Sequence, residues 1–114
     1  MTQVAGQTAA LLVLSTFPDV DTAARIARAV VDERLAACAN LLPAVRSIYR
    51  WQDAVCDEAE VLAVIKTTAD RYAALAARIA ELHPYQVPEV IAVALADGHP
   101  PYLAWLAEQV KPGH

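Results

Sequence analysis

Cysteine and glycine are scarce in this sequence, and their scarcity excludes several classes of protein. The 114 residues include two cysteines, Cys38 and Cys56, which lack Cys-x-x-Cys spacing. A chain of this size does not need a disulfide, so we expect both thiols to be reduced. With three glycines, the sequence also lacks a glycine-rich loop of the kind that cradles phosphate groups.

Clusters of positive charge and long apolar runs are also absent. The chain has 9 basic and 13 acidic residues, a net charge of −4 and a pI near 5.2. Nucleic-acid binders need clustered lysine and arginine, so we expect no nucleic-acid partner. The apolar stretch 9–14 is too short to cross a bilayer, and no basic residue precedes it as a secretory signal would require. We therefore expect a soluble, cytoplasmic protein with no membrane partner.

Apolar residues, in contrast, are abundant. They make up 57% of the chain, against about 45 to 50% in ordinary soluble domains. The length suits one domain, so we expect a single domain over 1–114, with residues 1–7 flexible. A small fold cannot hide this much apolar surface, so we expect part of it to face another subunit.

The spacing of apolar residues predicts the order strand, helix, strand, strand, helix, strand, helix. Asp21 is the predicted N-cap of the first helix, and Pro43 is predicted to stop or bend the second strand. The predicted segments are a strand over 9–17, a helix over 18–35, a strand over 35–42 that resumes over 45–51, a polar turn over 52–60, a strand over 60–68, a helix over 70–83, a strand over 89–96 and a helix over 100–110.

This order is typical of an α+β, ferredoxin-like βαββαβ sandwich with an extra C-terminal helix. In that arrangement two helices cover one face of a four-stranded antiparallel sheet and leave the other face bare. Because the predicted strands are apolar on both faces, the bare face needs a cover. Identical subunits are the simplest one.

Four segments in the right order carry a family resemblance. They are "ERLAACANLLPAVRSIYRW" (33–51), "EVLAVIKTT" (60–68), "LHPYQVPEVIAVAL" (82–95) and "YLAWL" (102–106). Together they resemble the CutA family of divalent cation tolerance proteins, over about Leu12 to Leu106. The resemblance implies a homotrimer in which long hairpin strands join the sheets of neighbouring subunits. It also implies tolerance of copper and other divalent ions.

The resemblance leaves a second function open. The CutA trimer is similar to that of the PII signalling proteins, so a signalling or scaffold trimer with a small ligand or a partner protein in its intersubunit clefts is the alternative. An enzyme is not expected, because no nucleophile, base and orienting partner are evident in the sequence.

His83 and Glu89 are the predicted metal ligands, for Cu²⁺ or another weakly bound divalent cation. Each also has a purely structural interpretation. His83 suits the end of a helix before Pro84, and Glu89 suits an ion pair or backbone hydrogen bonds. In some CutA relatives a cysteine and a second histidine stand where this chain has Ser15 and Leu82, which weakens a specific copper site.

Other side chains are predicted to lie at an intersubunit cleft or interface, where aromatic residues are enriched. Lys66 is expected to pair with Glu60 or Glu89 across subunits. Cys38 is expected to be packed and inert, and Cys56 to lie in a polar turn. The predicted cleft or interface residues are Tyr49, Trp51, Lys66, Tyr85 and Trp105.

Overall fold

Seven elements follow one another in the predicted order. The computed structural model describes residues 9–112, so the predicted flexible segment 1–7 lies outside the described residues. The elements are β1 (Ala10–Phe17), α1 (Val20–Asp32), β2 (Cys38–Trp51), β3 (Ala54–Thr68), α2 (Tyr72–Leu82), β4 (Ile91–Ala94) and α3 (Pro100–Gln109).

The four strands form one antiparallel sheet in the order β2-β3-β1-β4. That order, with α1 after β1 and α2 after β3, is the ferredoxin-like βαββαβ arrangement, and α3 is the extra C-terminal helix. The predicted α+β fold class is confirmed. Within residues 9–112, no helix combines the length and the apolar character that a bilayer crossing requires.

The main core lies between the sheet and the helices α1 and α2. Val13 and Phe17 of β1 alternate with more exposed neighbours, and Val13 lies opposite Ile65 of β3 on the same face. Each fully buried aliphatic or aromatic side chain contributes about 1.5 to 3 kcal/mol through its removal from water. The side chains in this cluster with at most 1% exposure are Val13, Phe17, Ala23, Ile26, Val30, Ala36, Ala63, Ile65, Leu75 and Ile79.

The opposite face of the sheet is only partly covered by the chain itself. Leu106 of α3 and its C-cap residue Val110 are almost fully buried against Ala37 and Ala10, at one end of this face. The expectation of a wholly bare face is therefore wrong, because α3 folds back over one end. Farther along, Ile91 and Val93 of β4 remain 51% exposed.

A two-residue turn joins β2 and β3 into one long hairpin. Gln52 and Asp53 have φ of 49° and 63°, which is the left-handed geometry that a two-residue hairpin turn needs. The predicted polar turn over 52–60 is therefore wrong beyond its first two residues, because the rest pairs as strand. Cys56 accordingly lies in β3 opposite Tyr49, not in a turn.

Pro43 and Ala44 form a bulge in β2 without ending the strand. Leu42 pairs with Leu62 but Val45 pairs with Glu60, so β2 holds one extra residue here, and Ala44 has φ of 64°. Of the two predicted outcomes at Pro43, a bend is the one observed. Since a one-residue shift exchanges the two faces of a strand, the bulge places the alternate residues 45–51 on the same face as Glu60.

Of two predicted helix ends, the C-terminal end of α2 is confirmed and the N-cap of α1 is wrong by two residues. Asp19, not the predicted Asp21, is the N-cap of α1, because its Oδ1 accepts the backbone N–H of Thr22 at 2.7 Å. Helix α2 ends at Leu82 with His83 as C-cap, just before Pro84, as predicted.

Candidate functional site

A cleft of about 700 Å³ lies between the distal part of the hairpin and the loop that joins α2 to β4. The hairpin contributes one wall because the bulge has turned its alternate residues toward Glu60. The loop contributes the other wall, and its two prolines limit its backbone freedom. The lining residues are Thr16, Ser47, Ile48, Tyr49, Trp51, Glu60, Pro84, Tyr85, Gln86, Val87 and Glu89.

His83 anchors the loop wall to the sheet. Its Nδ1 accepts the backbone N–H of Tyr85 at 3.1 Å, so the ring proton of the neutral imidazole sits on Nε2, which donates to the Thr16 carbonyl at 2.7 Å. The ring also stacks on Phe17 with centroids 4.7 Å apart, and His83 is 8% exposed. Both nitrogens are thus engaged with backbone groups, which is a structural role.

The same geometry bears on His83 as a metal ligand. A metal ion binds the lone pair of a deprotonated imidazole nitrogen, and here that lone pair accepts the Tyr85 amide. Coordination therefore requires the loss of this contact. Ligation by His83 stays a prediction, and the single chain as folded does not favour it.

Glu60 is the most deeply buried carboxylate of the cleft, with 8% exposure. Its Oε2 accepts the Tyr85 hydroxyl at 2.5 Å. No lysine, arginine or histidine within residues 9–112 forms an ion pair with it. Burial, and then the bond to Glu60, raises the pKa of Tyr85 well above its ordinary value, so the phenol stays a hydrogen-bond donor.

Aromatic side chains and a second and third carboxylate complete the cleft region. The Tyr49 hydroxyl donates to Glu58, and this bond, more than burial, raises the pKa of Tyr49. Trp51 is 41% exposed, and Glu89 lines the cleft from the loop side. Since none of the lining residues is lysine, arginine or histidine, the electrostatics of the cleft favour a cation.

The described residues of the single chain do not assemble a complete metal site. Among residues 9–112, no three histidine, cysteine or carboxylate side chains converge on one point. Ser15 is fully buried on the face that packs against the helices, and Leu82 packs against the core. Neither position therefore supplies a thiol or an imidazole to the cleft.

Two of the residues predicted for an intersubunit cleft or interface lie outside this cleft. Lys66 and Trp105 are at the end of the sheet that α3 covers, where Tyr102 lies between them: its ring centroid is 5.5 Å from that of Trp105 and 5.7 Å from Lys66 Nζ. Lys66 donates to Asn40 Oδ1 at 2.9 Å, so within the chain it pairs with neither Glu60 nor Glu89. Its pairing across subunits stays a prediction.

Cys38 belongs to the same group of residues around α3. Its Sγ lies 3.7 Å from the Tyr102 hydroxyl, and both cysteines are free and half-buried. Cys38 was expected to be packed, and its side chain is half-buried next to Tyr102.

This cleft is lined by Tyr49, Trp51 and Tyr85, which were predicted for an intersubunit cleft or interface, and by Glu89, which was predicted as a metal ligand. Glu60 was not predicted as its acidic floor. Glu60 was predicted only as a partner for Lys66, because the segment before it was predicted to be a turn. Glu60 was then expected to begin a strand, whereas it lies in the middle of β3. The available signal was alternation: Glu58, Glu60, Leu62 and Val64 share one face of a continuous strand.

Comparisons with known proteins identify the relatives of the chain. A profile of the family described as "CutA1 divalent ion tolerance protein" matches residues 11–109. The divalent-cation tolerance protein CutA of Thermus thermophilus is 47% identical over 97 residues, which cover 85% of this chain and 94% of that protein. Protein CutA of Mus musculus is 47% identical over 91 residues, which cover 80% of this chain and 51% of the mouse protein.

Solved structures agree with these sequence matches. The divalent cation tolerance protein of Thermus thermophilus superposes with a TM-score of 0.87 at 45% identity, covering 90% of this chain and 99% of that chain. CutA from Xylella fastidiosa gives a TM-score of 0.88 at 41% identity, covering 91% and 100%. A CutA from Archaeoglobus fulgidus that is described as periplasmic gives 0.87 at 26% identity, covering 90% and 99%.

Proposed function

Because this chain belongs to the CutA1 divalent ion tolerance protein family, we propose that it binds divalent cations directly, without catalytic turnover, in the response of the cell to metal ions. Cu²⁺ is the first ion that we propose, held weakly because one subunit offers no converging set of three ligands among its described residues. The observation that carries the proposal is the buried carboxylate of Glu60.

A buried carboxylate without a cationic partner is costly, since removal from water penalises its charged form. Glu60 has one hydrogen bond, from Tyr85, and no ion pair among the described residues. A divalent cation in the cleft supplies the missing charge, and the Glu89 carboxylate lines the same space. Glu60 thus joins the predicted ligands His83 and Glu89.

We also propose that the protein is a homotrimer, with the cleft at the contact between subunits. Support comes from the apolar side chains that the single chain leaves in water: Trp51 is 41% exposed, and Ile91 and Val93 are each 51% exposed. Apolar surface of this kind typically marks an interface. The proposed number of subunits, three, is taken from the family resemblance.

A PII-like signalling or scaffold trimer is the second candidate. Its support is the size of the cleft, since about 700 Å³ lies in the range of small-molecule sites. The proposed compartment is the cytoplasm, and the two free cysteines fit its reducing conditions. Fractionation of cells that express a tagged chain tests this compartment, and recovery in an exported fraction contradicts it.

The metal proposal is tested by calorimetric titration of the purified protein with Cu²⁺, Zn²⁺ and Mn²⁺. We expect Glu60→Gln and Glu89→Gln to weaken binding at least tenfold, because each removes a charged ligand. Glu81→Gln is the matched control, since Glu81 lies on the outer face of α2 beside Arg78. Unchanged isotherms for both cleft variants contradict a metal site in this cleft.

A further inference from the structure

The geometry points to a primary alkylammonium, and a short linear diamine above all, as the organic ligand of this cleft. The inference rests on the proposed function, since it takes the cleft to be a cation site and names the class of cation that fits it. It concerns the same lining residues, but it depends on their aromatic and apolar atoms as well as on their charge.

The volume of the cleft exceeds what a metal ion needs. A metal ion draws its ligands to about 2.0 to 2.6 Å, so its site is a compact cluster of donors. Here a space of about 700 Å³ is bounded largely by apolar and aromatic side chains, among them Ile48, Trp51 and Val87. Such walls suit a ligand that carries an apolar body behind its charge.

The aromatic lining adds a preference for organic cations. Tyr49, Trp51 and Tyr85 all line the cleft. The face of an aromatic ring attracts an ammonium group, by about 0.5 to 1 kcal/mol at exposed sites and more where water is excluded. An alkyl chain gains from the same surfaces by leaving water.

The hydrogen bonding of Glu60 distinguishes an ammonium from a guanidinium. Oε2 already accepts the Tyr85 hydroxyl at 2.5 Å, which leaves Oε1 as the oxygen without a hydrogen bond or ion pair among the described residues. A guanidinium prefers two parallel bonds to both oxygens of a carboxylate, whereas an ammonium makes single-point contacts. The side chain is more than nine-tenths buried and lines the cleft, so this free oxygen selects the ammonium.

A second carboxylate in the lining favours two positive charges over one. Glu89 lies on the loop wall and Glu60 on the hairpin wall of the same cleft. A linear diamine reaches both walls with one ammonium each, and Ser47, Thr16 and Gln86 provide further oxygen acceptors. We therefore expect 1,4-diaminobutane to bind more tightly than butylamine.

The test is a calorimetric titration of the full-length protein, in its native assembly, with 1,4-diaminobutane, butylamine and guanidinium chloride at constant ionic strength. We expect the diamine to bind at least tenfold more tightly than butylamine, and guanidinium to bind least. Glu60→Gln should weaken the diamine about ten- to hundredfold, in line with the loss of a charged hydrogen bond. Trp51→Phe should weaken it less than threefold, and this variant keeps an aromatic ring for the proposed subunit contact. Glu81→Gln is the control and should bind like the unaltered protein.

A fluorescence experiment provides a second measurement. The chain has two tryptophans, and Trp105 lies at the α3 end of the sheet, away from the cleft. A Trp105→Phe protein thus reports on Trp51 alone. The diamine should change its emission with the same affinity that calorimetry gives.

The outcomes separate this inference from the metal proposal. Diamine binding that Glu60→Gln abolishes supports the inference. Cu²⁺ binding that depends on Glu60 without any diamine binding overturns the inference and leaves the metal proposal standing, whereas the loss of both overturns both. A structure of the native assembly with an arginine or lysine of a second copy within 4 Å of Glu60 also overturns it, since the charge is then already satisfied.

Discussion

Replacing His83 with alanine should destabilise the protein even when no metal is present. The ring holds two backbone groups, the Thr16 carbonyl at 2.7 Å and the Tyr85 amide at 3.1 Å. Leaving a buried backbone group without a partner costs about 1 to 3 kcal/mol. The stack on Phe17 is worth about 0.5 to 1.5 kcal/mol more.

Water reaches part of the vacated space, so we take the lower half of each range. The free energy of unfolding should therefore fall by about 2.5 to 5 kcal/mol. This loss is measured by urea denaturation in a chelator at one fixed protein concentration, since the stability of an assembly depends on concentration. His99→Ala is the matched control: His99 is exposed at the start of α3 and its side chain makes no capping bond, so the change should stay within about 0.5 kcal/mol.

A loss below about 1 kcal/mol for His83→Ala would refute the reasoning. It would mean that the loop wall is held by other contacts. If the variant matched the unaltered protein in chelator but lost the stability that Cu²⁺ adds, His83 would be a metal ligand and not a loop anchor.

Three further predictions concern assembly and pH. Trp51→Asp should dissociate or unfold the proposed trimer, because it places a charge in an apolar contact. Arg28→Asp, on the outer face of α1, is the control and should leave the trimer intact. Native mass spectrometry checks both variants, and an unchanged mass for Trp51→Asp would show that this side chain is not at the interface. The raised pKa of Tyr85 means that the folded state keeps its proton longer than the unfolded state, so stability should fall as pH rises above the ordinary tyrosine value of 10.0. Tyr85→Phe should make that fall shallower in thermal melts, and an identical slope contradicts the assignment. The hydrogen bonds from Thr22 lower the pKa of Asp19 in the folded state below its ordinary value of 3.8. The stability that this cap adds is therefore present above pH 3.8 and is lost as the pH falls through the lowered pKa of the folded state. Melts of Asp19→Ala should therefore differ from the unaltered protein at pH 7 and converge with it in strong acid, while Asp19→Asn, which keeps a capping oxygen, should differ less at pH 7.

The order of the elements was predictable because apolar periodicity is strong in this chain. The helix period of α1 and the continuous apolar run of β1 identify segments that must be buried, although burial along β1 alternates and does not extend to both faces. The end of α2 at His83 was predictable for a local reason, since Pro84 disfavours helical geometry in the residue before it.

The turn of the hairpin was harder to place than the hairpin itself, because this turn lacks the usual signal. Gln52 and Asp53 adopt positive φ without a glycine, so nothing in the sequence separates the turn from the polar strand that follows. The bulge at Pro43 and Ala44 posed a related problem, because which face the later residues occupy depends on one unpaired residue.

The floor of the cleft depends on contacts between distant parts of the chain. Glu60 accepts a hydrogen bond from Tyr85, which lies 25 positions later in the sequence, and no local sequence pattern predicts that contact. The position of α3 also depends on contacts between distant residues. Its apolar stripe predicts a buried side, but only the packing of Leu106 on Ala37 shows that α3 covers one end of the sheet face opposite to α1 and α2.

The long hairpin also bears on how the chain folds. Its two strands are sequence neighbours, so closing their two-residue turn costs little chain entropy. Strand β1, in contrast, must insert between β3 and β4, and its pairing with β3 joins positions as far apart as Ala10 and Thr68. We therefore expect the hairpin to form early and the insertion of β1 to limit the rate. During that interval the unpaired edge of β3 is the segment most exposed to intermolecular pairing, which makes the timing of β1 insertion a determinant of the refolding yield.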